Sequence, residues 1–226
     1  MVFTNLLTCY NFFKLSMNKS IIDQKKRYDA EAVQHSKHNN DKYTQMYRDE
    51  FIRAPLFKEN LKGMYVLDAM CASGTETGYL IKRGADVVGI DVSQKNTEEY
   101  KKRWGKLCYL DSIHKTKFSD NTFDAVYICG GLHHVLPLLN ETILEIYRIL
   151  KPGGINVYTV RHTGDGDYKN GTHIGEDLYE NDGFIVHFFT EKKVREMADG
   201  FKIIKIEKFE EGSFPRKLFR VVLKKK

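Results

Sequence analysis

Two aspartates end consecutive apolar runs at a spacing that suits nucleotide chemistry. Asp68 ends "MYVLD", and Asp91 ends "DVVGID" further along the chain. An acidic residue about 20 residues after the loop that opens a nucleotide-binding unit accepts hydrogen bonds from a ribose. A carboxylate suits this role because its two oxygens can accept bonds from two neighbouring hydroxyls. The pair predicts a nucleotide-type cofactor at the ends of two strands.

A second group of residues could handle a proton or an anion. His133 and His134 stand together in "GGLHHV", while His162 and His187 bracket a long segment rich in Gly and Asp. Histidine titrates near neutral pH and can take a proton from a hydroxyl or an amine. Arg161 suits an anionic ligand, because a guanidinium binds a carboxylate or phosphate through two donors. Pairing of Arg161 with a nearby aspartate, Asp165 or Asp167, is the alternative.

The order of the predicted elements places these residues at one edge of a sheet. After Gly63, apolar runs alternate with amphipathic helices, which predicts an α/β, doubly wound fold with helices on both faces. Ser93, Asn140 and Thr190 are predicted to cap three of the helices. Two strands around "EEGS" should form an antiparallel hairpin, so the last strand should be antiparallel. The predicted strands are 64–69, 86–91, 107–111, 123–130, 155–160 and the two strands within 201–223.

The composition favours one globular domain. The chain has 226 residues, with 42% hydrophobic and 29% charged residues and a net charge of +6 that is concentrated near the two ends. No run approaches the roughly 20 apolar residues of a membrane span, so we expect no membrane partner. The four cysteines lack paired spacing, which predicts free thiols in a reducing cytosol and no metal site: Cys9, Cys71, Cys108 and Cys129.

The predicted domain has four parts behind a leader. We expect residues 1–19 to be a disordered or non-functional leader, and the oligomeric state is left open. An apolar patch in the lead-in could cover the site or meet a partner: Phe51, Ile52, Leu56 and Phe57. The parts are a helical lead-in at 20–62, a cofactor-binding core at 64–160, a largely irregular insertion at 161–189, and a last helix with a β-hairpin at 190–226.

Four segments in order and register resemble the class I S-adenosylmethionine-dependent methyltransferases. They are "VLDAMCASG", "VVGIDVS", "YLDSIHKTKFSDNTFDAVYICGGLHHV" and "EIYRILKPGG". The resemblance spans about residues 64–160 and implies a Rossmann-like, seven-stranded sheet with an antiparallel last strand. It also implies an enzyme that binds S-adenosylmethionine and releases S-adenosylhomocysteine.

The resemblance assigns a role to each matching residue. The amino-acid part of the cofactor would lie near Asp68 and the loop through Gly74, and the ribose would lie on Asp91. Where the family commonly has D-x-G-x-G-x-G, this chain has Met70 and Ala72 in place of two glycines. A negative φ would let Ala72 fit, and Met70 is the larger obstacle. The implied cofactor residues are Asp68, Ala69, Ala72, Gly74, Asp91, Val92, Asp111, Ser112, Cys129 and Gly130.

The region after residue 160 is similar to tellurite-resistance-type small-molecule methyltransferases, which implies a small-molecule acceptor. Methyl transfer by in-line displacement rests largely on positioning, so a general base is optional. The expected catalytic residues are His133, His134 and His162, and the expected substrate-binding residues are Arg161, His162, Tyr168 and His187. Two alternatives stay open: an RNA or nucleotide methyltransferase, since nucleic acid could bind the basic ends, and a non-catalytic partner protein with a degraded cofactor loop.

Overall fold

The computed structural model describes residues 26, 29–30, 60–135, 138–181, 183–211 (residue 211 by its backbone alone) and 216–226. The expectations for residues 1–19, for most of 20–62 and for the apolar patch in that lead-in lie outside the described residues. Within these ranges, no helix has both the length and the apolar character needed to cross a lipid bilayer.

The described chain contains ten strands and four α-helices. The strands are β1 Tyr65–Ala69, β2 Asp86–Asp91, β3 Cys108–Leu110, β4 Phe123–Ile128, β5 Leu150–Arg161, β6 Thr172–Gly175, β7 Leu178–Asn181, β8 Phe184–His187, β9 Phe201–Glu211 and β10 Arg216–Lys225. The helices are α1 Thr77–Lys82, α2 Gln94–Trp104, α3 Leu139–Ile149 and α4 Glu191–Met197.

Seven strands form the central sheet, in the order β3-β2-β1-β4-β5-β10-β9. β1 to β5 are parallel to one another, and β10 is antiparallel to both β5 and β9. The predicted doubly wound α/β sheet with an antiparallel last strand is therefore confirmed. β10 is inserted between β5 and β9, which leaves β9 at the edge of the sheet.

Both faces of this sheet are buried. Successive residues of β1 belong to hydrophobic clusters on opposite faces of the sheet. Val66 packs with Leu80 on one face, and Leu67 packs with Ile146 on the other. Side chains alternate between faces along a strand, so a strand buried on both sides reads as a continuous apolar run. This double burial explains why the strand segments were recognisable in the sequence.

Two of the three predicted helix caps are confirmed. Ser93 accepts a hydrogen bond from the Asn96 N–H, and Thr190 accepts one from Lys193. The prediction for Asn140 is wrong, because Asn140 is the second residue of α3 and Leu138 is its N-cap. The main-chain N–H of Thr142 donates to Leu138 O, so the first turn already begins ahead of Asn140.

Part of the segment predicted to be irregular forms a second sheet. β6, β7 and β8 pair in an antiparallel arrangement. Each of these strands has four residues, so none is long enough to show a periodic pattern. The N–H of Phe189 donates to Arg161 O, which attaches the second sheet to the end of β5.

Candidate functional site

The predicted cofactor residues converge at the carboxyl edge of the central sheet. Asp68, Asp91 and Asp111 lie at or just after the ends of the neighbouring strands β1, β2 and β3. Main-chain bonds join these ends: the N–H of Asp111 donates to Asp91 O at 3.1 Å, and the N–H of Cys71 donates to Ile90 O at 3.2 Å. Ligands of open α/β sheets bind in the crevice at this edge.

The loop after β1 keeps a glycine-like backbone without the glycines. Met70 has φ of 55° and Ala72 has φ of 46°, so the expected negative φ at Ala72 is not found. Left-handed backbone at an L-residue costs about 1–2 kcal/mol. Gly74 has φ of 78°, and a Cβ there would lie 2.5 Å from Trp104 Nε1. Gly74 is therefore required for the packing of the loop against α2.

Asp91 fixes this loop as well as ending β2. Its Oδ2 accepts the N–H of Ala72 at 3.0 Å. Its Oδ1 accepts the N–H of Ser93 at 2.9 Å and Asn96 Nδ2 at 3.3 Å. Each carboxylate oxygen offers about two acceptor positions. Oδ1 is thus used by the protein, and the remaining acceptor position for a ligand hydroxyl lies on Oδ2.

The edge of the site at β1 is acidic and buried. Asp68 is buried, and its Oδ2 accepts a hydrogen bond from Thr77 Oγ1 at 2.5 Å. Burial, and then the charge of Glu76, raise the pKa of Asp68 well above its usual range; burial also raises the pKa of Asp91. A positively charged group bound here would favour the ionised carboxylates.

Several polar groups of the site have spare hydrogen-bonding capacity. Ser73 Oγ and Thr75 Oγ1 are buried and have no hydrogen-bond partner within the described ranges. Gly130 has φ of 69°, and a Cβ there would meet no atom within 4 Å. The N–H of Gly130 donates to Thr159 Oγ1 at 2.8 Å, which holds the turn after β4 against β5. This edge therefore has both room and donors for a ligand.

The other predicted cofactor residues lie along the same edge. The carboxylate of Asp111 accepts the N–H of Ser112 at 2.9 Å, and Ser112 Oγ lies 2.6 Å from His114 Nδ1. Ala69 is buried, while Val92 and Cys129 are half-buried.

One residue of the lead-in reaches this edge. Ser93 Oγ donates to Asp29 Oδ1 at 2.5 Å, two residues after Asp91. Asp29 also adds its charge to the surroundings of the Asp91 carboxylate. The lead-in therefore contacts the cofactor edge at this residue.

Three of the four predicted site histidines lie together. The ring centroids of His133 and His134 are 4.3 Å apart, and His134 Nδ1 donates to Ile185 O at 3.0 Å. Ile185 and His187 belong to the same strand, and the charge of His187 acts on His133. The second sheet thus completes a histidine cluster, which we define as His133, His134 and His187.

His162 lies apart from the histidine cluster. Its ring centroid is 5.1 Å from that of Phe219, and its Nδ1 accepts the N–H of Gly164 at 2.9 Å. The pKa of His162 is lowered by burial and then by the charge of Lys208. His162 therefore faces the β9–β10 side of the sheet, and its predicted catalytic role stays a prediction.

Two members of the histidine cluster are held neutral. Burial lowers the pKa of His133 well below its usual range, and the charges of His134, Arg161 and Arg216 lower it further. Burial lowers the pKa of His187 to about 4. The Nδ1 atoms of His133 and His187 have no hydrogen-bond partner in the described part of the chain. Both rings are therefore neutral at pH 7, and each has an Nδ1 position left for a hydrogen bond.

The guanidinium of Arg161 is engaged within its own loop. Its Nε and Nη2 donate to both carboxylate oxygens of Asp165, and Nη2 also donates to Asp167 at 2.6 Å. Asp165 in turn accepts the N–H of Lys217 at 2.7 Å, which ties the loop to β10. The alternative in which Arg161 orders its own loop is the arrangement found, and its role toward a substrate stays a prediction.

Tyr168 is also engaged by the second sheet. Its hydroxyl donates to Asp177 Oδ1 at 2.6 Å, and this hydrogen bond raises the pKa of Tyr168 to about 12. Its ring lies 5.5 Å from both Tyr179 and Phe188. Tyr168 thus fixes the turn between β6 and β7 in this structure.

Three of the four cysteines lie in the described residues. Cys71, Cys108 and Cys129 are free, and the sulfur atoms of Cys71 and Cys108 are 3.6 Å apart. Among the residues that the structure describes, no group of three or more His, Cys, Asp and Glu side chains could hold a metal ion.

Some residues of the site were missed in the sequence. Thr77 bonds Asp68 from the first turn of α1, and no pattern in "GTETG" singles it out. Thr159 holds Gly130 from within an apolar strand. Arg220 is a fully buried cation in β10. The sequence did contain a signal for Arg220, because this charged residue interrupts the apolar run "LFRVVL".

Comparison with known proteins gives matches to the cofactor half of the chain. A family model described as "Methyltransferase domain" matches residues 67–158. An uncharacterized methyltransferase of Synechocystis sp. is 36% identical over 112 residues, which are 47% of this chain and 52% of that protein. A sterol 24-C-methyltransferase of Aspergillus fumigatus is 36% identical over 121 residues, 50% of this chain and 32% of that protein. The chain thus spans about half or less of the length of these relatives.

A solved structure covers more of the chain. The 1,6-didemethyltoxoflavin-N1-methyltransferase of Burkholderia thailandensis, solved with 1,6-didemethyltoxoflavin and S-adenosylhomocysteine, superposes with a TM-score of 0.73. The match covers 92% of this chain and 89% of that one, at 18% sequence identity. At this identity the likeness shows a shared fold.

Proposed function

We propose that this chain is a class I S-adenosylmethionine-dependent methyltransferase and transfers a methyl group to a small-molecule acceptor. The observation that carries the proposal is the hydrogen bond from the Ala72 N–H to Asp91, which preserves the shape of the cofactor loop without its glycines. The relatives named for sterols and for 1,6-didemethyltoxoflavin act on small molecules, which supports this acceptor class.

The residues at the β1 edge fit the cofactor. Bound S-adenosylmethionine supplies a methyl group on a positively charged sulfur. Asp68 and Glu76 provide a buried acidic surface for a cationic group. The unpartnered hydroxyls of Ser73 and Thr75 supply hydrogen bonds for the polar amino-acid end.

The residues at the β2 and β3 ends would hold the nucleoside. Asp91 Oδ2 has an acceptor position left for a ribose hydroxyl. Asp111 would accept a hydrogen bond from the adenine amine, with the main chain of Ser112 beside the ring. Cys129 and Gly130 would line the floor where β4 ends, and the open space at Gly130 supports this role.

The histidine cluster would serve the acceptor. His133 is neutral at pH 7 and its Nδ1 has no described partner, so it can accept a hydrogen bond from an acceptor hydroxyl or amine, while burial makes it a weak proton acceptor. His134, bonded to Ile185 O, holds the second sheet beside that proton acceptor.

Two segments would close over the site. The insertion 161–189 meets the histidine cluster at β8, and Asp29 of the lead-in meets Ser93. Closure over a methyl-transfer site excludes water and completes the acceptor pocket. We place this reaction in the cytosol, which the free thiols of Cys71 and Cys108 support.

Calorimetric titration of the purified protein with S-adenosylmethionine, and separately with S-adenosylhomocysteine, tests the proposal. We expect dissociation constants in the micromolar range. A folded sample that binds neither ligand would favour the alternative of a non-catalytic partner protein. A shift of RNA or DNA in a gel at physiological salt would favour the nucleic-acid alternative.

A further inference from the structure

Arg220 is a buried cation whose donors are incompletely used. It lies in β10 with 1% of its surface exposed. Its Nη2 is ion-paired with Glu207 on the neighbouring strand β9. Its Nε and Nη1 have no hydrogen-bond partner in the described ranges. Because buried polar groups in folded proteins are almost always hydrogen-bonded, these two donors point to a missing partner.

The position of Arg220 connects it to the methyl-transfer edge. Arg220 is paired with Thr159 of β5 in the antiparallel register, so the two side chains lie on the same face of the sheet. Thr159 Oγ1 accepts the N–H of Gly130, the residue predicted to line the floor of the cofactor site. The guanidinium therefore lies one strand away from that floor.

Two more arginines occupy the same face. Arg161 follows Thr159 by two residues, and Arg216 precedes Arg220 by four, so strand alternation places all of them on one side. The charges of Arg161 and Arg216 both act on His133, which places them near the histidine cluster. Three arginines therefore share this face where β5 ends, and Arg220 has donors that no described residue uses.

The local carboxylates do not fully balance the cations around Arg220. Arg161 is already paired with Asp165 and Asp167. Glu207 is 26% exposed and is shared between Arg220 and Lys205, so one carboxylate serves two cations.

A purely structural role explains Arg220 poorly. Its neighbours on the same face of β10, Leu218 and Val222, belong to an apolar core. An apolar side chain of similar volume would pack between them without unmet donors, and such replacements of buried ion pairs are often neutral or stabilising.

We propose that Arg220 binds an anionic group of the methyl acceptor, a carboxylate or a phosphate, through its Nε and Nη1 donors. The inference rests on the proposed function and adds the charge class of its substrate. It assigns anion recognition to β10, since the guanidinium of Arg161 is used within its own loop. Arginine suits the role because it keeps its charge when buried and donates in fixed directions.

The charge class can be tested without knowing the acceptor. The wild-type protein is incubated with methyl-labelled S-adenosylmethionine and a small-molecule cell extract separated by ion exchange into anionic, neutral and cationic fractions. We expect labelled product from the anionic fraction. Label from the neutral or cationic fractions alone would overturn the inference and leave the proposed function standing. Absence of labelled product from every fraction, in a sample that binds the cofactor, would contradict both.

The same anionic fraction then serves to compare variants. We expect Arg220→Lys, which keeps the charge, to raise the KM for the acceptor about tenfold, with kcat and S-adenosylhomocysteine affinity changed less than about twofold. Arg220→Met should lower kcat/KM by about a hundredfold or more. Lys205→Gln, an exposed neighbour of Glu207, is the matched control and should leave KM unchanged. If Arg220→Met fails to fold, the test rests on Arg220→Lys. A KM for the acceptor equal to the wild-type value in Arg220→Lys overturns the inference.

Discussion

The main-chain N–H of Ala72 donates to Asp91 Oδ2 across 3.0 Å, so the loop after β1 is held by the carboxylate that ends β2. One aspartate thereby serves two strands of the cofactor edge. The same carboxylate oxygen retains an acceptor position for a ligand. Removal of this side chain should therefore affect both the shape of the loop and the binding of the nucleoside.

Asp91→Ala should weaken S-adenosylmethionine binding by more than tenfold, about 1.4 kcal/mol, as measured by calorimetry. The loss has two causes, since the ribose acceptor and the anchor of Ala72 disappear together. Asn96→Ala is the matched control, because it removes the Asn96 contact to Oδ1 and leaves Oδ2 intact. Equal losses in the two variants, or unchanged affinity in Asp91→Ala, would remove the ribose assignment.

Ala72→Gly should stabilise the protein by about 0.5–1 kcal/mol in urea unfolding. Glycine relieves the left-handed strain at φ of 46°, and this gain exceeds the added chain entropy of the unfolded state. Cofactor affinity should be equal to or higher than that of the wild type. Ala125→Gly in β4, a regular strand position, should destabilise instead. A loss of stability in Ala72→Gly would show that the Ala72 backbone is not strained.

His187 should make the stability of the protein fall as the pH falls. Burial lowers its pKa to about 4 in the folded state, against about 6.5 in the unfolded state, so the unfolded chain binds more protons in between. Stability is retained above pH 6.5 and declines toward pH 4, with a loss on the order of 2 kcal/mol at pH 5.

His187→Phe keeps an aromatic ring on Phe189 and removes the titration. Its unfolding free energy should therefore depend less on pH between 6.5 and 4 than that of the wild type, as measured by urea titration at several pH values. The exposed His173→Phe serves as the comparison. Parallel pH profiles for the wild type and His187→Phe would contradict the prediction.

Asp165→Ala should destabilise the protein by roughly 3 kcal/mol, because Arg161 would remain buried without its main partner. The variant also loses the acceptor for the Lys217 N–H, which ties the insertion to β10. Asp167→Ala, whose side chain is 58% exposed, should cost less than about 1 kcal/mol. Similar small losses in both variants would show that the buried pair does not hold this loop.

The strand segments of the central sheet were predictable because their information is local. The inner parallel strands are buried on both faces and therefore appear as apolar runs, as in "VVGID". The helix caps at Ser93 and Thr190 were also local signals. β6 to β8 could not be recognised in the sequence, since strands of four residues carry too little pattern.

The site residues that end a strand could be predicted from the sequence. Those whose contacts depend on tertiary packing could not. Asp68 and Asp91 could be found because strand ends meet at one edge. Spacing alone could not decide whether Arg161 binds an anionic ligand or pairs with a nearby aspartate, and the structure shows the pair with Asp165. The free donors of Arg220 depend on register with β5 and β9, which no local pattern encodes.

The place of β10 between β5 and β9 has a consequence for biosynthesis. β9 emerges from the ribosome before β10, yet it can join the sheet only through β10. Until then, β5 presents an open edge of unpaired main-chain groups, which is a hazard for association between nascent chains. The five parallel strands can assemble first, and the β9–β10 hairpin must then dock as a unit. Slowed translation through residues 201–225 should therefore prolong exposure of the β5 edge and the need for a chaperone.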